Sequence, residues 1–148
     1  MNNKISPLVW VLIVGLLWRI LIALYTPVIQ DEAYYFDWSS HLQAGYFDHP
    51  PGVAIAALTT HFQQGSWFFG RLGVLLLGSC TLLILANLYR NLGFKAQEIF
   101  WSILLLSVTP FVLGIGLLVT PDAPLCFGWA LSLHEMERAI FSNPKRWL

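Results

Sequence analysis

The sequence predicts an all-α fold, a polytopic bundle of helices integral to a membrane. Three observations carry that reading. Of the 148 residues, 57% are hydrophobic and only 11% charged, whereas a soluble domain carries about 25% charged residues. Four apolar stretches approach the roughly 20 residues that a helix needs to cross a hydrocarbon core. Lysine and arginine are also distributed unevenly among the polar segments between those stretches.

The first span is predicted over 7–25. Lys4 precedes it as in a signal peptide, but the apolar run is too long and no small-x-small cleavage site follows, so it reads as an uncleaved anchor. The loop 26–66 comes next and contains DEAYYFDWSSHLQAGYFDHPP, Asp31 to Pro51. Its segment from Asp31 to Ala44 lacks glycine and proline, and helical spacing places Tyr34, Tyr35, Trp38 and Leu42 on one face. That pattern predicts an interfacial helix with an aromatic face toward lipid, closed by Gly45 as a left-handed cap. His49-Pro50-Pro51-Gly52 then forms a rigid extended turn. It leads into a second short helix, 52–64, apolar on one side and too short to cross, which is also read as interfacial. Further spans are predicted over 67–89, 99–119 and 123–140. His134, Glu135, Glu137 and Arg138 weaken the lower half of the last. No repeat, low-complexity tract or linker divides the chain, so residues 1–148 form one membrane domain. Cys80 and Cys126 lie in apolar runs without metal-ligand spacing and read as packing residues.

One set of loops collects Lys4, Arg90, Lys95, Arg138, Lys145 and Arg146. The other, 26–66 together with the turn 120–122, has no lysine or arginine but holds Asp31, Glu32, Asp37, Asp48 and Asp122. Positive residues are retained on the cytoplasmic side, which puts the amino terminus inside and the acidic loops outside. A net charge of zero argues against a nucleic-acid partner, leaving membrane lipids as the general partner.

The candidate site follows from that outer face. Asp31 has two readings: an N-cap of the first loop helix, or a reactive carboxylate held where a lipid-borne substrate meets water. Asp122, in Thr120-Pro121-Asp122-Ala123-Pro124, has the same two. Two acidic motifs on one face favour a shared site. Arg71 lies about 6 Å below the outer end of the second span at the helical rise, and Arg19 lies deeper in the first. Each either binds a phosphate or a loop acid, or snorkels to the headgroups. Asp37 with His41, and Asp48 with His49, raise a metal site as a possibility, against which stands their reading as solvated interfacial polars. Tyr34, Tyr35 and Trp38 either anchor the helix in the interface or stack on a sugar.

The quoted loop, followed by an arginine entering the second span in GRLG and by TPDAP between the third and fourth, resembles the polyprenyl-phosphate-dependent glycosyltransferases. This is the protein mannosyltransferase and aminoarabinose transferase superfamily, with the GT-C fold. The resemblance covers about 8–147 and implies a hexosyl or pentosyl transferase. Such an enzyme uses a polyprenyl-phosphate-linked sugar donor and a lipid, glycan or protein acceptor on the extracytoplasmic face of, in bacteria, the inner membrane. It implies Asp31 as catalytic base with Glu32 close by and Asp122 in the same site, and Arg71, Arg19, Tyr34, Tyr35, Trp38 and His49 as substrate-binding candidates. Some members use a divalent metal and others do not, so the metal and its ligands stay open. Members of the family are much longer than this chain, which reads as their amino-terminal portion and is expected to be inactive alone. The alternative is a small non-catalytic membrane subunit or scaffold with an acidic outer face.

Overall fold

The structure, a computed structural model, describes residues 6–63 and 65–142. Helices α1 (Pro7–Tyr25), α2 (Gln30–Ser40) and α3 (Gly52–Ala56) come first, α3 running into a 3-10 turn at Ala57–Phe62. They are followed by α4 (Trp67–Asn91), α5 (Ala96–Val108), α6 (Pro110–Ile115) and α7 (Asp122–Glu137), the last ending in a π-helical turn at Arg138–Ser142. No strand occurs among the described residues. Lys4, Lys145, Arg146 and the end of the resemblance at Trp147 lie outside them.

Two helices, α1 and α4, are long and apolar enough to cross a membrane. The 19 residues of α1 span about 28 Å at the helical rise, close to one hydrocarbon core. The third expected span is not one helix. Pro110 has no N–H and disfavours helix at the residue before it, so Thr109 turns extended (φ −66°, ψ 132°) and the stretch divides into α5 and α6. The fourth expected span, 123–140, lies within one helical path, the 16 residues of α7 running directly into the π-helical turn Arg138–Ser142.

Helix α4 is the hub and packs against α1, α5, α7 and the 57–62 turn. Its buried residues, among them Arg71, Val74, Leu75, Gly78, Leu82 and Ala86, recur at three- and four-residue spacing, one face of a helix. Small residues set the closest approaches. A Cβ on Gly73 would overlap the Ala56 carbonyl, and one on Gly70 would overlap the Phe36 ring. The second short loop segment packs against α4 along one side, while Ile55 and Phe62 stay exposed. Ala54, Ala56 and Ala57 press it onto the α4 backbone, and Val53, Ala54 and Ala57 are fully buried.

The first loop helix also differs from its expectation. It begins at Gln30 and ends at Ser40, and Gly45 has no left-handed backbone, positive φ among the described glycines occurring at Gly65 and Gly93. The expected aromatic face divides: Tyr35 and Trp38 are buried together with Phe36 from the neighbouring face, whereas Tyr34 and Leu42 stay exposed. The three buried rings join Val53, Ala54, Ala56, Ala57, Val74, Val119 and Ala123 in one core at the amino-terminal end of α4. An aromatic stripe suits protein core as well as lipid, and here α3 and α4 cover it.

Candidate functional site

The amino-terminal end of α4 is built around one buried ion pair. Arg71 Nε donates to Glu32 Oε1 at 2.8 Å and Nη2 donates to Oε2 at 2.5 Å. The other guanidinium hydrogens go to the carbonyls of Ala23 (2.9 Å), Thr26 (2.8 Å) and Pro27 (3.0 Å). All five donors of the guanidinium are thus engaged, and the pair is completely buried. Glu32 also accepts the backbone N–H of Ile29 at 3.3 Å and of Val119 at 3.1 Å. One carboxylate therefore joins the exit of α1, the start of α2, the body of α4 and the turn entering α7. Arg71 does not snorkel and has no donor left for a phosphate, and Glu32 has no free face. Desolvation explains the saturation: a buried charge persists only when paired and hydrogen-bonded.

Asp31, one residue earlier, is exposed on the first turn of α2. The residue flanking that helix is Ile29, and its N–H is met by Glu32, so Asp31 is not the N-cap. Asp122 is the first helical residue of α7, after Pro121, and makes no capping bond either. It too is exposed. Both bland readings of these acids thus lose their geometry.

A third acid joins them through the loop after α2. Tyr46 stacks on Trp38 with ring centroids 3.9 Å apart and 4° between planes. Its hydroxyl donates toward the Trp38 carbonyl at 3.0 Å and accepts the Gln43 N–H at 3.3 Å, and its own N–H donates to His49 O at 3.0 Å. The loop folds back over α2, placing the His49 ring 5.9 Å from Tyr35 and 6.2 Å from Trp38. Asp48 sits beside His49 at 3.6 Å. Tyr35 reports the convergence. Burial, and then the negative fields of Asp31, Asp48, Tyr34 and Asp122, push its phenol above the ordinary tyrosine value. Asp31 and Asp122, 91 positions apart in the chain, thus act on one hydroxyl.

The remaining candidates separate from this vestibule. Arg19 lies a helical turn below Ala23, buried against Gly78 and Gly116, donating to Gly15 O at 3.2 Å and Ser79 Oγ at 3.4 Å. It neither snorkels nor reaches the carboxylates. His41 closes on Asp37 at the exposed far end of α2, 3.9 Å from its carboxylate. Among the described residues no group of three or more His, Cys, Asp or Glu side chains has the geometry to hold a metal. Sequence reasoning missed the participation of Asp48, the anchoring role of Tyr46, and Thr120, whose hydroxyl is buried without a partner. The double proline after Asp48 was the available signal for the first, since it fixes the chain beside that residue.

The vestibule offers three acceptor carboxylates, one protonated phenol and the half-exposed ring of Tyr34, which lies 4.6 Å from Trp38. Residues 48–148 match the family model described as dolichyl-phosphate-mannose-protein mannosyltransferase. That region contains Arg71 and Asp122 and begins at Asp48, beyond Asp31 and Glu32. No curated protein and no solved structure matches the chain.

Proposed function

This chain belongs to the dolichyl-phosphate-mannose-protein mannosyltransferase family, and from that premise we propose that it carries the acidic half of a glycosyl-transfer site. It is a membrane protein of glycosyltransferase type, and the finer reading goes further. The chain is the amino-terminal part of a longer GT-C enzyme of the bacterial inner membrane. Its amino terminus is cytoplasmic and its carboxylate vestibule faces the periplasm. The donor is a polyprenyl-phosphate-linked sugar, and the acceptor is a hydroxyl-bearing lipid, glycan or protein.

The observation that carries this reading is the division of labour between adjacent acids. Glu32 is spent on Arg71, whereas Asp31, on the same helix, is exposed, and so are Asp48 and Asp122, whose negative fields with that of Asp31 raise the Tyr35 phenol. In the transfer, the Asp31 carboxylate takes the proton of the acceptor hydroxyl. The acceptor oxygen forms its bond to the anomeric carbon, and the bond from that carbon to the phosphate oxygen breaks. The electron pair leaves with the polyprenyl phosphate. Asp122 orients the acceptor, and the Tyr34 ring offers an apolar face to the sugar. The outer loops carry no lysine or arginine, so the leaving phosphate is stabilised by parts of the longer enzyme.

The test is transfer of labelled sugar from polyprenyl-phosphate donors by membranes carrying the full-length protein. Asp31→Asn should lower the rate by 100-fold or more, in the range that general-base catalysis supplies, without changing membrane insertion. Undiminished transfer by Asp31→Asn would sink the base assignment.

A further inference from the structure

The Tyr35 side chain is only 7% exposed, but its hydroxyl makes no hydrogen bond to any described residue, and it is not among the sealed, unpartnered polar atoms. Its oxygen is thus the accessible tip of a buried ring. The ring is held by Trp38 at 5.3 Å in edge contact, Tyr34 at 5.7 Å and His49 at 5.9 Å. Asp31 lies one helical turn before it, on the same face. The Trp38–Tyr46 stack folds the loop back so that His49, with the Asp48 carboxylate 3.6 Å from its ring nitrogen, stands beside the Tyr35 ring, and the bond from Val119 to Glu32 ties the turn preceding Asp122 to the start of α2. The held phenol thus has an unmet donor one helical turn from Asp31 and beside the His49–Asp48 pair.

We propose that Tyr35 is the hydrogen-bond donor of the sugar subsite and Asp48 an additional acceptor in it, so that the subsite takes an uncharged sugar and turns away a uronic acid. This rests on the glycosyl-transfer reading above and names the substrate class of that site. Each sugar hydroxyl donates one hydrogen and accepts others, whereas an ionised carboxylate only accepts. A vestibule of carboxylates alone would leave the sugar oxygens without donors, and Tyr35 supplies one. An anionic group in the same space would meet Asp31, Asp48 and Asp122 together, on a face whose loops contain no lysine or arginine and where Arg71 is already spent. Like-charge juxtaposition of this kind rejects the wrong ligand. The carrier phosphate, by the same repulsion, binds away from Tyr35.

Membranes carrying the full-length protein are assayed with polyprenyl-phosphate donors bearing a neutral hexose, a neutral pentose or a uronic acid. Wild type should use a neutral donor and reject the uronic one. Tyr35→Phe should lower neutral-sugar transfer about tenfold, the loss of one hydrogen bond, at an unchanged melting temperature. Asp48→Asn should narrow the discrimination against the uronic donor by about tenfold. If Tyr35→Phe melts early, the ratio between donors, which does not depend on the amount of folded enzyme, decides instead. Wild-type rates from Tyr35→Phe, or equal wild-type use of the uronic donor, overturn this proposal alone. Transfer from no donor by wild type overturns the glycosyl-transfer reading and this proposal with it.

Discussion

Replacing Glu32 by Gln keeps the volume of the side chain and removes its charge. Arg71 is then a buried cation facing only carbonyls, its contacts to Ala23, Thr26 and Pro27 unchanged. The two charge-assisted bonds at 2.8 and 2.5 Å become one ordinary bond to the amide oxygen and one clash of donors. Removing one partner of a buried pair costs about 3–5 kcal/mol. Spread over a chain of this size, that lowers the melting temperature by about 10 °C. The loss should be felt at the start of α2, the turn entering α7 and the exit of α1, because all three converge on this pair. The assay is thermal unfolding of the detergent-solubilised protein, followed by retention of the monodisperse species. The double variant Glu32→Gln/Arg71→Met removes both charges and should recover at least half of the loss, since no uncompensated ion remains. A Glu32→Gln protein melting within about 2 °C of wild type, or a double variant worse than both singles combined, would refute the view of this pair as the tie of the outer end.

Other consequences follow from packing and from Tyr35. Gly73→Ala drives a methyl into the Ala56 carbonyl and should destabilise by about 1–3 kcal/mol. Gly128→Ala, in α7 with open space around it, should be neutral or gain up to about 1 kcal/mol from helix propensity; the same melting assay compares them. Thr120→Val removes a buried hydroxyl that has no partner and should raise stability by up to about 1–3 kcal/mol; a lowered melting temperature would show that the hydroxyl is satisfied. Above the ordinary tyrosine value of 10.0, an unfolded chain releases the proton that folded Tyr35 retains. The folded state then binds more protons, so stability falls as pH rises through that range. Tyr35→Phe should flatten this alkaline limb, as read from melting temperature against pH.

Much of the architecture was legible without coordinates. The runs that became α1 and α4 are long and apolar enough that any fold must give them a helical path. The lysine-free loops marked one end as chemically distinct. The first acidic motif opens a helix as expected, one residue before Asp31. The break at Thr109 was also available, because the residue before a proline resists helix. Proline is tolerated in membrane helices where neighbours satisfy the freed carbonyls, so the residue by itself does not decide whether a span divides. The face that α2 buries was not available, since Tyr34, Tyr35 and Trp38 have the same amphipathic character against lipid as against protein. That the His49–Asp48 pair stands beside Tyr35 depends on the Trp38–Tyr46 stack, which no local pattern announces.

The sequence alone determined that this chain is helical, apolar and acidic at one end, because those properties are sums over residues and do not depend on which surfaces meet. Only the tertiary structure decided between Asp31 and Glu32. The two acids are neighbours of equal charge, and on a helix neighbours point about 100° apart. One direction leads to the Arg71 guanidinium and complete burial, the other to water beside Asp122. Desolvation makes the first a structural tie, and exposure leaves the second available for the role of base proposed above.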